Sequence, residues 1–176
     1  KIEIKKIIEP FNKKIKIEGD KSLSIRWALL ASQSYGKSTS INLLKSEDVL
    51  NTLSCLKKLG VKINISKNKC KIHGLGINGF TFKKKIILNT GNSGTLARLI
   101  MGLLIHSKNE VKIIGDESLS KRDFIRVIKP LQKFGAKFKS NFGKLPVTII
   151  GTDKPKPINY IENKGSAQCK SAVMLA

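Results

Sequence analysis

The chain has 176 residues, 40% of them hydrophobic and 26% charged, and a formal net charge of +22. That length and apolar content suffice for one domain with a sizeable core, and no apolar run reaches the roughly 18 residues that cross a membrane. Three cysteines without metal-like spacing argue for reduced thiols, a cytoplasmic setting and no metal site. The charge alone would suit a nucleic acid, but the lysines are spread through every segment and aromatics make up only 6% for base stacking, which argues against that partner.

In chain order, the opening Lys-Ile-Glu-Ile-Lys-Lys alternates like a strand and lacks the pattern of a signal peptide. Residues 1–18 read as two short strands, 2–8 and 14–17, about a turn at Pro10. A helix is expected over 22–34 and a strand over 38–43. A second helix begins near Ser46, carries Glu47 and Asp48 in its first turn as the helix dipole favours, buries Val49, Leu50, Leu53 and Leu56, and stops at Gly60. Strands over 61–65 and 69–73 follow. The pattern then repeats: a strand over 85–88, a helix over 94–106, a strand over 110–114, a helix over 121–134 ended by Gly135, and strands over 136–139 and 147–150. A Pro- and Lys-rich linker over 152–157 leads to a last helical run that is still apolar at Ala176, which reads as a fragment of a longer chain. Cys55 and Cys70 fall at packing positions, and Cys169 reads as a buried helical thiol. His73 reads as a strand residue and His106 as a helix-end residue.

The repetition carries the argument. An offset of 72 residues takes Asp20 to Asn92 and Arg26 to Arg98, and the same step again reaches Lys164-Gly165-Ser166-Ala167-Gln168-Cys169-Lys170. At an offset of 75, Val49, Leu50, Leu53, Leu56, Gly60 and Val61 fall on Phe124, Ile125, Ile128, Leu131, Gly135 and Ala136. Periods of this kind mark supersecondary units that share a core. The expected fold is α+β: pseudosymmetric β-α-β-α-β-β units with helices packed inside small sheets. Unit one covers 19–84, unit two 85–157, and 158–176 begins a third; residues 1–18 would belong partly to another layer.

Each unit opens with a polar turn leading into a helix, where free backbone N–H groups and the helix dipole favour an anion. Lys21, Ser22 and Arg26 add an ammonium, a hydroxyl and a guanidinium at the first opening. Of 34 basic residues only four are arginine, Arg26, Arg98, Arg122 and Arg126. In a lysine-rich chain, arginine points to places where a planar fork for carboxylate or phosphate matters. Asp20 and Asp116 read as turn or cap residues.

Five motifs together carry a resemblance: Gly-Asp-Lys-Ser-Leu-Ser-Ile-Arg (19–26), Gly-Asn-Ser-Gly-Thr-Leu-Ala-Arg (91–98), Gly-Asp-Glu-Ser-Leu-Ser-Lys-Arg (115–122), Leu-Pro-Val-Thr-Ile-Ile-Gly (145–151) and Gly-Ser-Ala-Gln-Cys-Lys-Ser-Ala (165–172). In order and spacing the chain resembles the 5-enolpyruvylshikimate-3-phosphate synthase (3-phosphoshikimate 1-carboxyvinyltransferase) family over nearly its whole length, and its Gly-Asp-Lys and Ser-Ala-Gln-Cys-Lys forms look like that family's second class. The resemblance implies an inverse-barrel fold. It implies transfer of the enolpyruvyl group of phosphoenolpyruvate to the 5-hydroxyl of shikimate 3-phosphate with release of phosphate, a step of aromatic amino acid biosynthesis. It also implies a cytoplasmic monomer without cofactor or metal. By resemblance, Lys21, Ser22, Arg26, Ser166, Ala167 and Gln168 bind shikimate 3-phosphate, and Lys21, Asn92, Gly94, Thr95, Arg122 and Gln168 serve phosphoenolpyruvate. The acid–base carboxylates would come from a second domain, and no catalytic residue is assigned in this chain. Asp123 stands where the family usually has proline, which leaves that turn less fixed. Two competitors are a UDP-N-acetylglucosamine 1-carboxyvinyltransferase, which carries Lys-Asn where this chain has Lys21-Ser22, and a non-catalytic basic module that binds anions or nucleic acid.

Overall fold

The computed structural model describes residues 9–15 and 17–176 together with Glu3, Lys5 and Ile7. In chain order the elements are α1 (Lys21–Gln33), β1 (Tyr35–Ile41), α2 (Glu47–Lys58), β2 (Lys62–Ile65), β3 (Lys69–Leu75), β4 (Lys85–Asn89), α3 (Gly94–Leu103), β5 (Glu110–Ile114), α4 (Glu117–Ser120), α5 (Ile125–Lys133), β6 (Lys137–Asn141), β7 (Lys144–Ile150) and α6 (Ala167–Met174). The α+β class expected from the sequence is what forms.

The strands make two sheets, one ordered β1-β3-β2 and one ordered β4-β5-β7-β6. Within the second, β4 and β5 run parallel, with α3 as the crossover a parallel pair requires. The antiparallel trio β5-β7-β6 repeats the trio β1-β3-β2, so the two units share a plan. They differ at the strand before the first helix. In unit two it is β4; in unit one, residues 9–15 and 17 form no strand, and the contact there is the Asn42 side-chain amide donating to the Ile17 carbonyl at 3.1 Å. The strand expected over 14–17 is therefore not formed by its described residues, while Lys16 and most of the run 2–8 lie outside them.

One apolar core runs through both units and into α6. Its axis is α3. This helix is apolar on nearly every face, as a helix surrounded by protein must be, and it packs against α1, α5 and α6. Leu96, Leu99, Ile100 and Met101 are fully buried, and truncating any of them to alanine would cost roughly 2–5 kcal/mol. α3 and α6 approach closely because position 102 is glycine: a Cβ there would stand 2.1 Å from the Ala172 carbonyl oxygen. On the other side of the core, α2 lies along the outer edge of β4. The Lys58 ammonium donates to the Ile87 carbonyl at 3.1 Å and the Cys55 thiol to the Asn89 carbonyl at 3.3 Å. Burial pushes the Cys55 thiol up to about 11. All three cysteines are free and buried, as their positions in the pattern suggested.

Of the expected boundaries that moved, three have a local reason. β1 starts at Tyr35 because it pairs from its first residue with Leu75 of β3. α3 ends at Leu103 and a turn carries the chain on to His106, whose Nε2 lies 2.9 Å from the Ala176 carbonyl. The helix expected over 121–134 begins only at Ile125, as α5, and a separate short helix not expected from the sequence, α4, precedes it. Asp116 caps α4 by accepting from the Leu119 amide at 2.7 Å, and α5 starts afresh at Ile125, whose amide donates to the Asp123 carboxylate at 2.7 Å. Asp123 thus holds the turn with a side-chain bond, in place of the restriction a proline ring would impose.

Candidate anion site at three helix openings

The helices that follow the repeated turns are α1, α3 and α6, and each begins with a side-chain cap. Asp20 accepts from the Leu23 amide at 2.7 Å, Ser93 from Leu96 at 3.3 Å and Ser166 from Cys169 at 3.2 Å. Caps of this kind satisfy one of the amides left free at each helix start and leave others pointing outward. α3 touches both α1 and α6, so the three openings belong to adjacent helices.

At the α3 opening the polar groups are tied together. Asn92 donates to the Asp116 carboxylate at 2.5 Å and accepts from Arg122 Nη2 at 2.9 Å. Beneath them, half-buried Arg98 donates to the Gly94 carbonyl at 3.2 Å, to Gln168 Oε1 at 3.0 Å and to the Asp123 carbonyl at 3.4 Å. Its guanidinium lies 4.8 Å from the centroid of the Phe124 ring, a cation–π contact. Gln168 Nε2 in turn donates to Thr95 Oγ1 at 2.9 Å. One hydrogen-bonded set therefore joins the α3 opening, the α4–α5 joint and the α6 opening. Position 94 is crowded from above: a Cβ on Gly94 would stand 2.6 Å from Arg98 Nη1 and 3.3 Å from Arg122 Nη1. Burial lowers the Arg98 pKa, with Arg122 and Arg126 adding to that effect. The Leu119 amide, followed by Asn92, holds the Asp116 carboxyl below its usual value.

The α1 opening is built differently. Lys21 and Ser22 are exposed. The Lys21 ammonium pairs with Asp48 of α2 at 3.0 Å, and Arg26 donates back to the Ser22 hydroxyl one turn earlier. Arg26 also stands at the rim of an apolar recess of about 150 Å³ between α1, α3 and α6, which includes Leu29, Leu99 and Met174.

The profile of the EPSP synthase (3-phosphoshikimate 1-carboxyvinyltransferase) family matches residues 5–176. The chain belongs to the EPSP synthase family. Among curated relatives, the 3-phosphoshikimate 1-carboxyvinyltransferase of Vesicomyosocius okutanii is 45% identical over 174 residues, 97% of this chain and 40% of its own length. The enzyme of that name from Leuconostoc citreum is 42% identical over 163 residues, 92% of this chain and 38% of its own. A solved EPSP synthase from Acinetobacter baumannii superposes with a TM-score of 0.86 at 37% identity, covering 93% of this chain and 37% of that one. The chain thus spans about 40% of the length of the curated EPSP synthases it matches.

Of the residues the EPSP synthase motifs single out, Asn92 and Arg122 are bonded to each other, and Gly94, Thr95 and Gln168 belong to the set around Arg98. Ser166 caps α6, Ala167 is its first residue, and Lys21, Ser22 and Arg26 stand together at the α1 opening. Asp20 and Asp116 are helix caps, as their turn positions suggested. The motif reading passed over Arg98 and Asp48. Arg98 carries the links across the site. Its signal was present, as one of four arginines in register with Arg26, but its partner Gln168 lies 70 residues away in sequence. Asp48, read only as a helix-start acid, also pairs with Lys21.

Proposed function

We propose that this chain forms the substrate-binding part of an enzyme that transfers the enolpyruvyl group from phosphoenolpyruvate to the 5-hydroxyl of shikimate 3-phosphate and releases phosphate. Lys21 reaches both substrates. Ser22, Arg26, Ser166, Ala167 and Gln168 hold shikimate 3-phosphate. Asn92, Gly94, Thr95 and Arg122, again with Gln168, hold phosphoenolpyruvate. The observation that supports this reading most is the Thr95–Gln168–Arg98 chain of bonds, which makes the α3 and α6 openings one unit with two guanidinium groups over Gly94. Both substrates are anions with phosphate and carboxylate groups, and fixed N–H donors, helix starts and planar guanidinium forks match them.

In this reading, residues 19–176 form a substrate-binding domain of two units and the start of a third, and residues 1–18 join in part with another domain. The protein works as a cytoplasmic monomer and has no nucleic-acid partner. Among the described residues no helix is long and apolar enough to cross a membrane. The chemistry needs an acid and a base within hydrogen-bond reach of the reacting atoms. The acidic groups near the openings have other work here: Asp20 and Asp116 cap helices and Asp48 neutralises Lys21. By the family resemblance the acid–base pair would come from a second domain, and these residues would supply binding and orientation.

Calorimetric titration with shikimate 3-phosphate, with shikimate and inorganic phosphate as controls, tests the proposal. Saturable binding that needs ring and phosphate together and disappears in Arg26→Ala is the expected result. A folded chain that ignores shikimate 3-phosphate, or that binds free phosphate equally well, would overturn it.

A further inference from the structure

Between the last strand of unit two and α6, residues 157–165 form neither helix nor strand. Two open clefts of about 590 and 400 Å³ border this strap near Tyr160. Among the described residues, one hydrogen-bonded pair ties it to another part of the fold: Arg126 Nη2 of α5 donates to Glu162 Oε1 at 2.6 Å. The Glu162 side chain is only 6% exposed, and it is fully used. Its second oxygen accepts from the Tyr160 hydroxyl, and the Lys164 amide donates to the first at 3.1 Å. A carboxylate this enclosed is tolerable because three donors satisfy it.

The clamp sits next to the site without belonging to it. Glu162 precedes Ser166 by four residues. Arg126 follows Arg122 by four and lines, with Arg98, Asp123, Ser166 and Gln168, one recess of about 290 Å³. α6 begins directly after the strap, and Gln168 in its first turn meets Thr95 and Arg98.

We propose that Glu162, clamped by Arg126 and Tyr160, is a positioning residue that docks the 157–166 strap so that α6 opens with Ser166, Ala167 and Gln168 turned toward α3. The inference rests on the shikimate 3-phosphate reading above and assigns its ordering step to a residue outside the binding set. Glu162 touches no substrate. It acts by removing alternative placements of the strap before ligand arrives, and that lowers the ordering cost of binding.

Two readouts on the same chain test it: titration with shikimate 3-phosphate, and amide hydrogen exchange. Glu162→Ala is expected to weaken shikimate 3-phosphate about tenfold, the loss of roughly one charge-assisted hydrogen bond. Glu162→Gln, which keeps the shape and one acceptor, should lose less, so it remains informative should the alanine variant fail to fold. The Cys169 and Lys170 amides should exchange faster in both variants, while those of α1 stay unchanged. Arg126→Met combined with Glu162→Ala should be no weaker than the worse single variant, because the two remove one interaction. Affinity within twofold of the unsubstituted chain, unchanged exchange in α6, or fully additive losses would each overturn the proposal. Should the folded, unsubstituted chain not bind shikimate 3-phosphate, the functional reading fails by itself. The exchange arm then still decides whether the clamp orders α6: faster exchange upholds it and unchanged exchange overturns it.

Discussion

The first helix opening and the other two use similar motifs in opposite ways. At α3 and α6, Thr95, Gln168 and Arg98 are bonded in a partly sheltered chain across 73 residues of sequence, and Asn92 and Arg122 form an exposed pair beside it. At α1, Lys21 and Arg26 hold one ion pair and one bond within their own helix, both in reach of water. The first arrangement ties distant parts of the chain together; the second is local and exposed, and under the proposed function its cations would exchange these contacts for a ligand. Repeating a unit therefore did not repeat its energetics. Substitutions at α3 and α6 should damage fold and binding together, whereas those at α1 should damage binding alone.

The severest test is Gly102→Ala. Its methyl group would meet the Ala172 carbonyl backbone, so α3 and α6 must move apart. Overpacking of this kind should cost about 3 kcal/mol in urea unfolding and break the Arg98–Gln168 bond. Next is Arg98→Ala, which leaves Gln168 Oε1 without its donor and removes the link to the Asp123 carbonyl. A loss of about 2 kcal/mol is expected, with shikimate 3-phosphate binding weakened although Arg98 is outside the assigned binding set. Stability changes of less than about 0.5 kcal/mol in either variant would dissolve the contrast between the openings.

Much of this was legible in the sequence. Asp20, Ser46 with Glu47 and Asp48, Gly60 and Asp116 punctuate helices by chemistry that acts within four residues, and the 3-and-4 spacing of Val49, Leu53 and Leu56 fixes the buried face of α2. Pairings between distant residues were not legible. Nothing near Arg98 in sequence announces Gln168, and nothing near Glu162 announces Arg126. That residues 14, 15 and 17 form no strand was equally hidden, because the run 14–17 alternates as a strand would; forming a strand depends on a neighbour, and periodicity does not encode the neighbour. The late start of the helix expected over 121–134 coincides with a single carboxylate, Asp123, which accepts from the Ile125 amide where the family resemblance suggested a looser turn.

A gentler test uses acid. The Tyr160 hydroxyl and then the Arg126 guanidinium hold Glu162 at about 2, below the ordinary carboxylate range. A depressed folded-state pKa means that the stabilisation is complete above the ordinary value, near 4.3, and is lost as pH falls toward 2. The unsubstituted chain should therefore lose stability over that window, and Glu162→Gln should flatten the slope there. An identical slope in both would show that the carboxylate is not held. The smallest structural effect is expected for Arg26→Ala. Its change in unfolding free energy should lie within about 0.5 kcal/mol, since an exposed bond to its own helix contributes little, while shikimate 3-phosphate binding is abolished. Joint loss of stability and binding would place the α1 opening in the same class as the others.

The contact between α2 and β4 has a consequence for the protein in a crowded solution. β4 ends its sheet and carries Ile86, Ile87 and Leu88, a combination that in an open edge strand invites pairing with a second molecule. The outward carbonyls of Ile87 and Asn89 are already taken by Lys58 and Cys55. An incoming strand would have to displace α2, and with it the buried Val49, Leu53 and Leu56, to reach those two acceptors. The helix that completes the core of unit one thus also guards unit two against self-association.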